Sequence, residues 1–210
     1  MALYALQHRG QQSCGIAVND DGIIRSYRDL GLVPDTFNQR VLSDLGSGRM
    51  AVGHVLYGAS NPERADAQPL VVRHIKGSMA LAFNGALVNA LELKEELELK
   101  GAIFHSNSDA EIISHVIINE RLHTNSIEEA IEKAMDKLKG AYSMVVMSPQ
   151  KLMAVRDPQG IRPLAMGKMG GEIVFASESC AFDSIGAKFV RDVRPGEIIV
   201  VDRSGVRSLE

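Results

Sequence analysis

Few residues of this 210-residue chain have the type and spacing to do chemistry, and each also has a plain structural explanation. Asn84-Gly85 places a side-chain amide next to a backbone with no side chain in the way, but by itself it is the signature of a type I′ hairpin turn. Asp109 follows Ser108 where a helix would begin, so it reads as a cap or an acid in the first turn. Arg9 beside Gly10 reads as a solvated cation near a turn. Cys14 and Cys180 lie far apart, could form at most one bridge, and read as small buried residues. The six histidines form no H-E-x-x-H, there is no C-x-x-C, and no metal site is expected; His115 and His123 read as structural or solvated. Neither G-x-G-x-x-G nor G-x-x-x-x-G-K-[ST] occurs, so no dinucleotide or phosphate cradle of those kinds is expected. Residues 198–205 have the outline of a strand entering a phosphate-holding loop, yet the paired acids such a loop would want are missing, and a hairpin is the better reading.

These residues must be positioned by an ordinary folded domain. Hydrophobic residues make up 45% of the chain and charged residues 23%, and there is no Trp, so a core of Ile, Val, Leu, Met and Ala is expected to form without disulfide staples. A net charge of −3 gives no broad basic surface, and neither nucleic acid nor an anionic membrane is an expected partner. The longest apolar runs, such as Ile198-Ile199-Val200-Val201, are far below the roughly 20 residues that span a bilayer. The start of the chain lacks a basic segment and a long apolar stretch, so a cytoplasmic location is expected.

Helices are expected over residues 35–45, 89–100, 109–121 and 126–139. The second can start on Asn89 as cap and carries Glu92, Glu96 and Lys100 at i, i+4 spacing before Gly101, and the third has a stripe of Ile112, Ile113, Val116 and Ile117. The fourth opens on the capping box Ser126-x-x-Glu129. Strands are expected over 15–18, 23–27, 50–56, 78–83, 141–147, 151–156, 172–176 and 197–202. Short polar breaks at 19–22, 148–150, 170–171 and 203–205 suit antiparallel hairpins. Strands, then helices clustered mid-chain, then strands again imply an α+β domain with helices on its outer faces.

Seven phrases occur in one order: Leu6-Gln-His-Arg-Gly-Gln11, Gly53-His-Val-Leu-Tyr57, Phe83-Asn-Gly85, Ser108-Asp109, Leu138-Lys-Gly-Ala-Tyr142, Asp157-Pro-Gln-Gly-Ile-Arg-Pro-Leu164 and Ser177-Glu-Ser-Cys-Ala-Phe-Asp183. Over nearly the whole chain they resemble the glutaminase domain of the amidophosphoribosyltransferase family, within the class II glutamine amidotransferases. The resemblance implies a four-layer αββα sandwich of the N-terminal-nucleophile hydrolase type. It implies glutamine as substrate, ammonia released for phosphoribosylamine synthesis in purine biosynthesis, and no cofactor in this domain. In such domains an N-terminal cysteine attacks the glutamine amide with its own α-amine as base; the amine's pKa near ~8 leaves a useful unprotonated fraction at neutral pH. By resemblance Asn84 and Gly85 form the oxyanion hole, Asp109 binds the substrate ammonium, Arg9 holds the nucleophilic end, and Tyr57 belongs to the substrate loop. Arg162 is given no catalytic part, and a salt bridge or an interdomain contact is expected of it.

The same comparison exposes departures. The family cysteine precedes a first strand upstream of Leu-Gln-His-Arg-Gly, whereas this chain starts at Met1 just before that phrase, so nucleophile and first strand are expected to be absent from a single domain spanning 1–210. Neither Cys14 nor Cys180 carries a free α-amine. Leu56 stands where the family has an arginine for the substrate carboxylate, Ala59 where a threonine is usual, Phe83 where a histidine is frequent, and Ala86 where a polar residue follows Asn-Gly. The phosphoribosyltransferase domain is likewise expected to be absent. The chain alone is therefore expected to be inactive and, with a sheet edge uncovered, to form a homo-oligomer. A truncated amidotransferase and a noncatalytic binding or regulatory module of the same fold both remain open.

Overall fold

The computed structural model describes residues 1–58, 63–106 and 108–210. Three antiparallel sheets form its centre. Strands β1 (Ser13–Asp20) and β2 (Ile23–Leu30) form a hairpin over Asp21-Gly22, both at positive φ, and β3 (Met50–Leu56) pairs along the other side of β1. The large sheet contains β4 (Leu70–His74), β5 (Gly77–Leu87), β6 (Gly140–Met147), β7 (Leu152–Arg156), β11 (Ile198–Asp202) and β12 (Gly205–Leu209), in the order β12-β11-β7-β6-β5-β4. The third sheet, in the order β10-β8-β9, holds β8 (Ala165–Met169), β9 (Glu172–Ala176) and β10 (Lys188–Asp192).

The two-residue period of β5 shows how the layers stack. Met79, Leu81 and Phe83 face one way, into a core with Ile113, Ile117 and Ile131 of the helices α5 (Asp109–Leu122) and α6 (Ile127–Met135); α4 (Ala90–Leu99) adds Leu93 and Leu97. Ala80 and Ala82 face the other way, against Ala17, Ile24 and Val52 of the first small sheet. Along the same face of the large sheet, Ala154 and Ile199 meet Leu164, Met166 and Val193 of the second. Behind that second sheet, Ala2 and Leu6, in and just after α1 (Ala2–Ala5), pack with Ala181 and Phe182 of α7 (Cys180–Asp183). Helices, large sheet, paired small sheets and short helices make the αββα sandwich expected of the chain. Each fully buried Ile contributes roughly 1.5–3 kcal/mol, so packing rather than helix propensity holds α5 and α6 in place.

Several local expectations need correction. The helix expected over 35–45 is two, α2 (Val33–Thr36) and α3 (Gln39–Asp44), because Phe37 is extended and Asn38 caps the second by accepting from the Val41 N–H at 3.0 Å. Asn89 precedes α4 without capping it; its amide instead binds the Lys137 carbonyl and the Lys139 N–H, tying α4 to the strand entry after α6. Ser126 does cap α6, but Glu129 reaches back to the Asn125 N–H, and the helix ends at Met135. Strands β4, β8, β10 and β12 are not among those expected; exposed positions interrupt the apolar pattern of each. The turns at 19–22, 148–150, 170–171 and 203–205 all close antiparallel hairpins, and 198–205 is the hairpin expected. No helix among the described residues is long and apolar enough to cross a membrane.

Candidate active site

Asn84-Gly85 is no hairpin turn. Both residues lie within β5, opposite Ser143 and Tyr142 of β6. Tyr142 commits its own backbone to Asp157: its N–H donates to Asp157 Oδ2 at 3.2 Å, and its carbonyl accepts from the Asp157 N–H at 2.9 Å. Gly85 and Tyr142 are therefore a non-hydrogen-bonded pair, and the Gly85 N–H points to the opposite edge of β5. Along that edge β4 has already ended, its last pairing being Leu70 with Leu81. Side chains continue the row instead. The Phe83 N–H donates to Gln68 Oε1 at 2.7 Å, the Phe83 carbonyl accepts from His54 Nε2 at 2.9 Å, and the Leu87 N–H donates to Asp109 Oδ2 at 2.8 Å. Gly85 lies between these satisfied groups, and among the described residues no acceptor engages its N–H. A Cβ at Gly85 would meet the Ala141 carbonyl oxygen at 2.1 Å, and its φ of +154° also favours glycine.

The Asn84 side chain is on the face of β5 shared with Ala80 and Ala82, the face toward the β1–β3 sheet. On that sheet His54 is two residues along from the inward Val52 and reaches the same place. Removal of the His54 ring from water pushes its pKa down to about 4; the hydrogen bond to Phe83 opposes the shift and the Arg9 charge adds to it. The ring is neutral at neutral pH, with its proton on Nε2 and with Nδ1 buried and, among the described residues, unpartnered. His54 and Gln68 thus brace Phe83, the residue before the amide pair.

Asp109 opens α5, but the cap is Ser108, whose Oγ accepts from the Ala110 N–H at 3.3 Å. Asp109 ties the helix to β5 through Oδ2, so one carboxylate oxygen lies beside the Gly85 row for a further donor. Leu56 ends β3 half-buried, its carbonyl bound by the Gln12 N–H at 3.1 Å, and Tyr57 follows it 80% exposed. Arg9 Nη1 pairs with Glu178, and its charge reaches His54. The fold therefore brings Asp109 to the β5 edge two residues beyond Gly85 and sets the Arg9 charge within reach of His54. Ala59 lies outside the described residues, Phe83 faces the helix-side core, and Ala86 is exposed. A cleft of about 350 Å³ beside His74, Lys76 and Arg121, and a wider one at the β1–β2 and β11–β12 turns, are lined by none of the site residues.

Sequence reasoning misses His54, Gln68, Glu178 and Asp157. Alternation with Val52 could reveal His54; Gln68, in a loop, gives no signal. Asp157 reads as a turn start, yet its fully buried carboxylate accepts from Tyr142, Gln159 and Ile161 N–H groups. Arg162 is exposed and makes no salt bridge among the described residues, while its carbonyl accepts from Arg156 Nε at 2.9 Å. Cys14 is buried in β1 as expected, whereas Cys180 is only half-buried and lies near Glu178 and His8, so the fold does bring metal-ligating types together despite the absence of a short-spaced motif.

Comparison with known proteins yields a match of residues 59–184 to a family model described as a glutamine amidotransferase domain. The amidophosphoribosyltransferase of Methanocaldococcus jannaschii is 44% identical over 200 residues, covering 95% of this chain and 42% of that protein. The amidophosphoribosyltransferase of Bacillus subtilis is 40% identical over 208 residues, covering 98% and 43%. A solved structure of glutamine phosphoribosylpyrophosphate amidotransferase from B. subtilis, in complex with ADP and GMP, superposes with a TM-score of 0.93 at 40% identity, over 100% of this chain and 45% of that one. The chain spans less than half the length of the relatives it matches.

Proposed function

We propose, from the premise that this chain belongs to the glutamine amidotransferase domain family, that it is the glutamine-handling domain of an amidophosphoribosyltransferase. Its sandwich is of the N-terminal-nucleophile hydrolase type, as in its solved relatives. The reading rests above all on the Gly85 N–H, directed beside the Asn84 amide at an edge where neighbouring donors are satisfied and this one is not. When a thiolate adds to the glutamine carbonyl carbon, the electron pair of the C=O bond moves to oxygen, and in this reading these two donors hold that charge. One such donor is worth about 3–4 kcal/mol. Collapse of the intermediate expels ammonia with a proton supplied from the nucleophile's side, and water then releases glutamate. In this reading the Asp109 oxygen not engaged by Leu87 receives the substrate ammonium, Tyr57 lies along the substrate loop, and the ammonia passes to a phosphoribosyltransferase domain. Two free thiols suit a reducing compartment such as the cytoplasm.

Cys14 is buried in β1 opposite Asp29 and Val55, and burial raises its thiol pKa. Cys180 is bound up with Glu178 and the Ala5 carbonyl. Neither stands at the Gly85 row or has an α-amine as base, so we infer that these 210 residues by themselves release no ammonia from glutamine.

Leu56 supports a second reading, a noncatalytic ligand-binding module, because it offers no cation to the substrate carboxylate. Amide chemical shifts of the 15N-labelled chain under L-glutamine titration test both. Weak shifts centred on Gly85, Asn84 and Leu87, tightened about tenfold or more by Leu56→Arg, are expected for the glutamine-handling domain. Shifts that stay absent in both chains would overturn that reading in favour of the module.

A further inference from the structure

A second chemical cluster lies where the N-terminal segment meets α7. His8, in the turn Gln7–Arg9, Glu178, two residues before α7, and Cys180, the first residue of α7, present a ring nitrogen, a carboxylate oxygen and a thiol within 4.8 Å of one another. His8 Nε2 lies 2.9 Å from Glu178 Oε2, and Cys180 Sγ lies 3.8 Å from the same oxygen. The other carboxylate oxygen, Oε1, is held by Arg9 Nη1. Packing of Ala2 and Leu6 against Ala181 and Phe182 fixes the two backbones relative to each other.

We propose that His8, Glu178 and Cys180 form a three-ligand site for a thiolate-preferring divalent cation of the zinc class, with the fourth position left to water. A mixed nitrogen, oxygen and sulfur set is the donor chemistry that zinc accepts and that magnesium or calcium does not. Tetrahedral bonds of about 2.0–2.3 Å set such atoms about 3.3–3.6 Å apart. The observed 2.9 and 3.8 Å to Glu178 Oε2 lie on either side of that spacing and all three atoms are within 4.8 Å, so closing the site takes side-chain rotations that draw His8 and Cys180 toward one cation. Arg9 supports it from outside, since it occupies the oxygen the cation would not use and so aims the other inward. Carboxylate and thiolate together neutralise a divalent charge. A bound cation takes the Cys180 sulfur as thiolate and the His8 Nε2 lone pair, so any proton on either atom is displaced on binding. Solvent reaches the cluster, the His8 side chain being 56% exposed and that of Glu178 35%. None of its three ligands is bonded to Asn84, Gly85 or Asp109; its link to the candidate active site runs through the Arg9–Glu178 pair.

The test is a titration of the reduced chain with cobalt(II). A single equivalent is expected to bring up a sulfur-to-cobalt charge-transfer band and the visible bands of a tetrahedral ion, both removed by zinc(II). Cys180→Ser should abolish the charge-transfer band, and Cys14→Ser should leave it intact. His8→Ala, at an exposed position where folding is undisturbed, should weaken binding by about tenfold or more. No charge-transfer band in the parent chain, a band that survives Cys180→Ser, or affinity unchanged in His8→Ala would each overturn the proposal.

Discussion

Gly85 carries two demands that no other residue type meets together. Its φ of +154° and the 2.1 Å that would separate an added Cβ from the Ala141 oxygen make Gly85→Ala a backbone rearrangement, not a side-chain adjustment. A loss of about 3 kcal/mol or more is expected in urea unfolding, with the greatest change in amide shifts along β5. His54 gives a different signature. Its folded pKa of about 4 is below the ordinary histidine value of 6.5, so in the acid range the unfolded chain binds the extra proton. Stability from this group is complete above pH 6.5 and falls as pH drops toward about 4, by on the order of 2–3 kcal/mol. Unfolding free energies across that window should lose this slope in His54→Gln; an unchanged slope would mean the ring titrates normally. The amide pair is visible in the sequence as a chemical possibility. Its setting is not, because Asn-Gly is equally the mark of a turn, and only the long-range pairing with Ser143 and Tyr142 separates the two.

Elements are legible where periodicity and capping agree. The stripe Ile112, Ile113, Val116, Ile117 and the Ser126 cap lead directly to α5 and α6. The 35–45 segment misleads because Phe37, Val41 and Leu45 keep helical spacing across a break that only Asn38 marks. Asn38→Ala should cost about 1 kcal/mol, seen as a lower thermal midpoint. A larger effect is expected at the loop after β7. The Asp157 carboxylate gathers N–H groups from Tyr142, Gln159 and Ile161, so one side chain holds both the loop and the strand behind Gly85. Asp157→Ala strips these donors, and the more distant Arg162 N–H at 3.4 Å, of their acceptor at about 1–3 kcal/mol each where water cannot replace it. Destabilisation of about 3 kcal/mol or more in denaturant titration is expected, and a change under about 1 kcal/mol would show that the loop stands without it.

The layered plan of the molecule follows from the order of strands and helices, yet that the inner layer is two sheets side by side does not. β3 is paired along β1 and β9 along β8, so among the described residues each has one unpaired edge, and both lie over the same face of the large sheet. Unpaired edges recruit further strands. The 210-residue chain is accordingly expected to associate with itself, giving sedimentation coefficients that rise with concentration; a monomer across a hundredfold range would count against this.

Gly140 mirrors Gly85 across the β5–β6 seam: a Cβ there would lie 2.2 Å from the Ala86 oxygen, as one at Gly85 would lie 2.1 Å from that of Ala141. Three helices intervene between these strands in the chain, so their alignment must be found by two distant segments meeting. A slip of two residues along β5 would keep every side chain on its proper face, and hydrophobic sorting alone would tolerate it. It would also drive Phe83 or Leu87 into the gap that only hydrogen fills. The seam thus works as a gauge that rejects off-by-two encounters before the core closes over them, and enlarging either glycine should leave more chains trapped in misaligned, aggregation-prone forms on refolding.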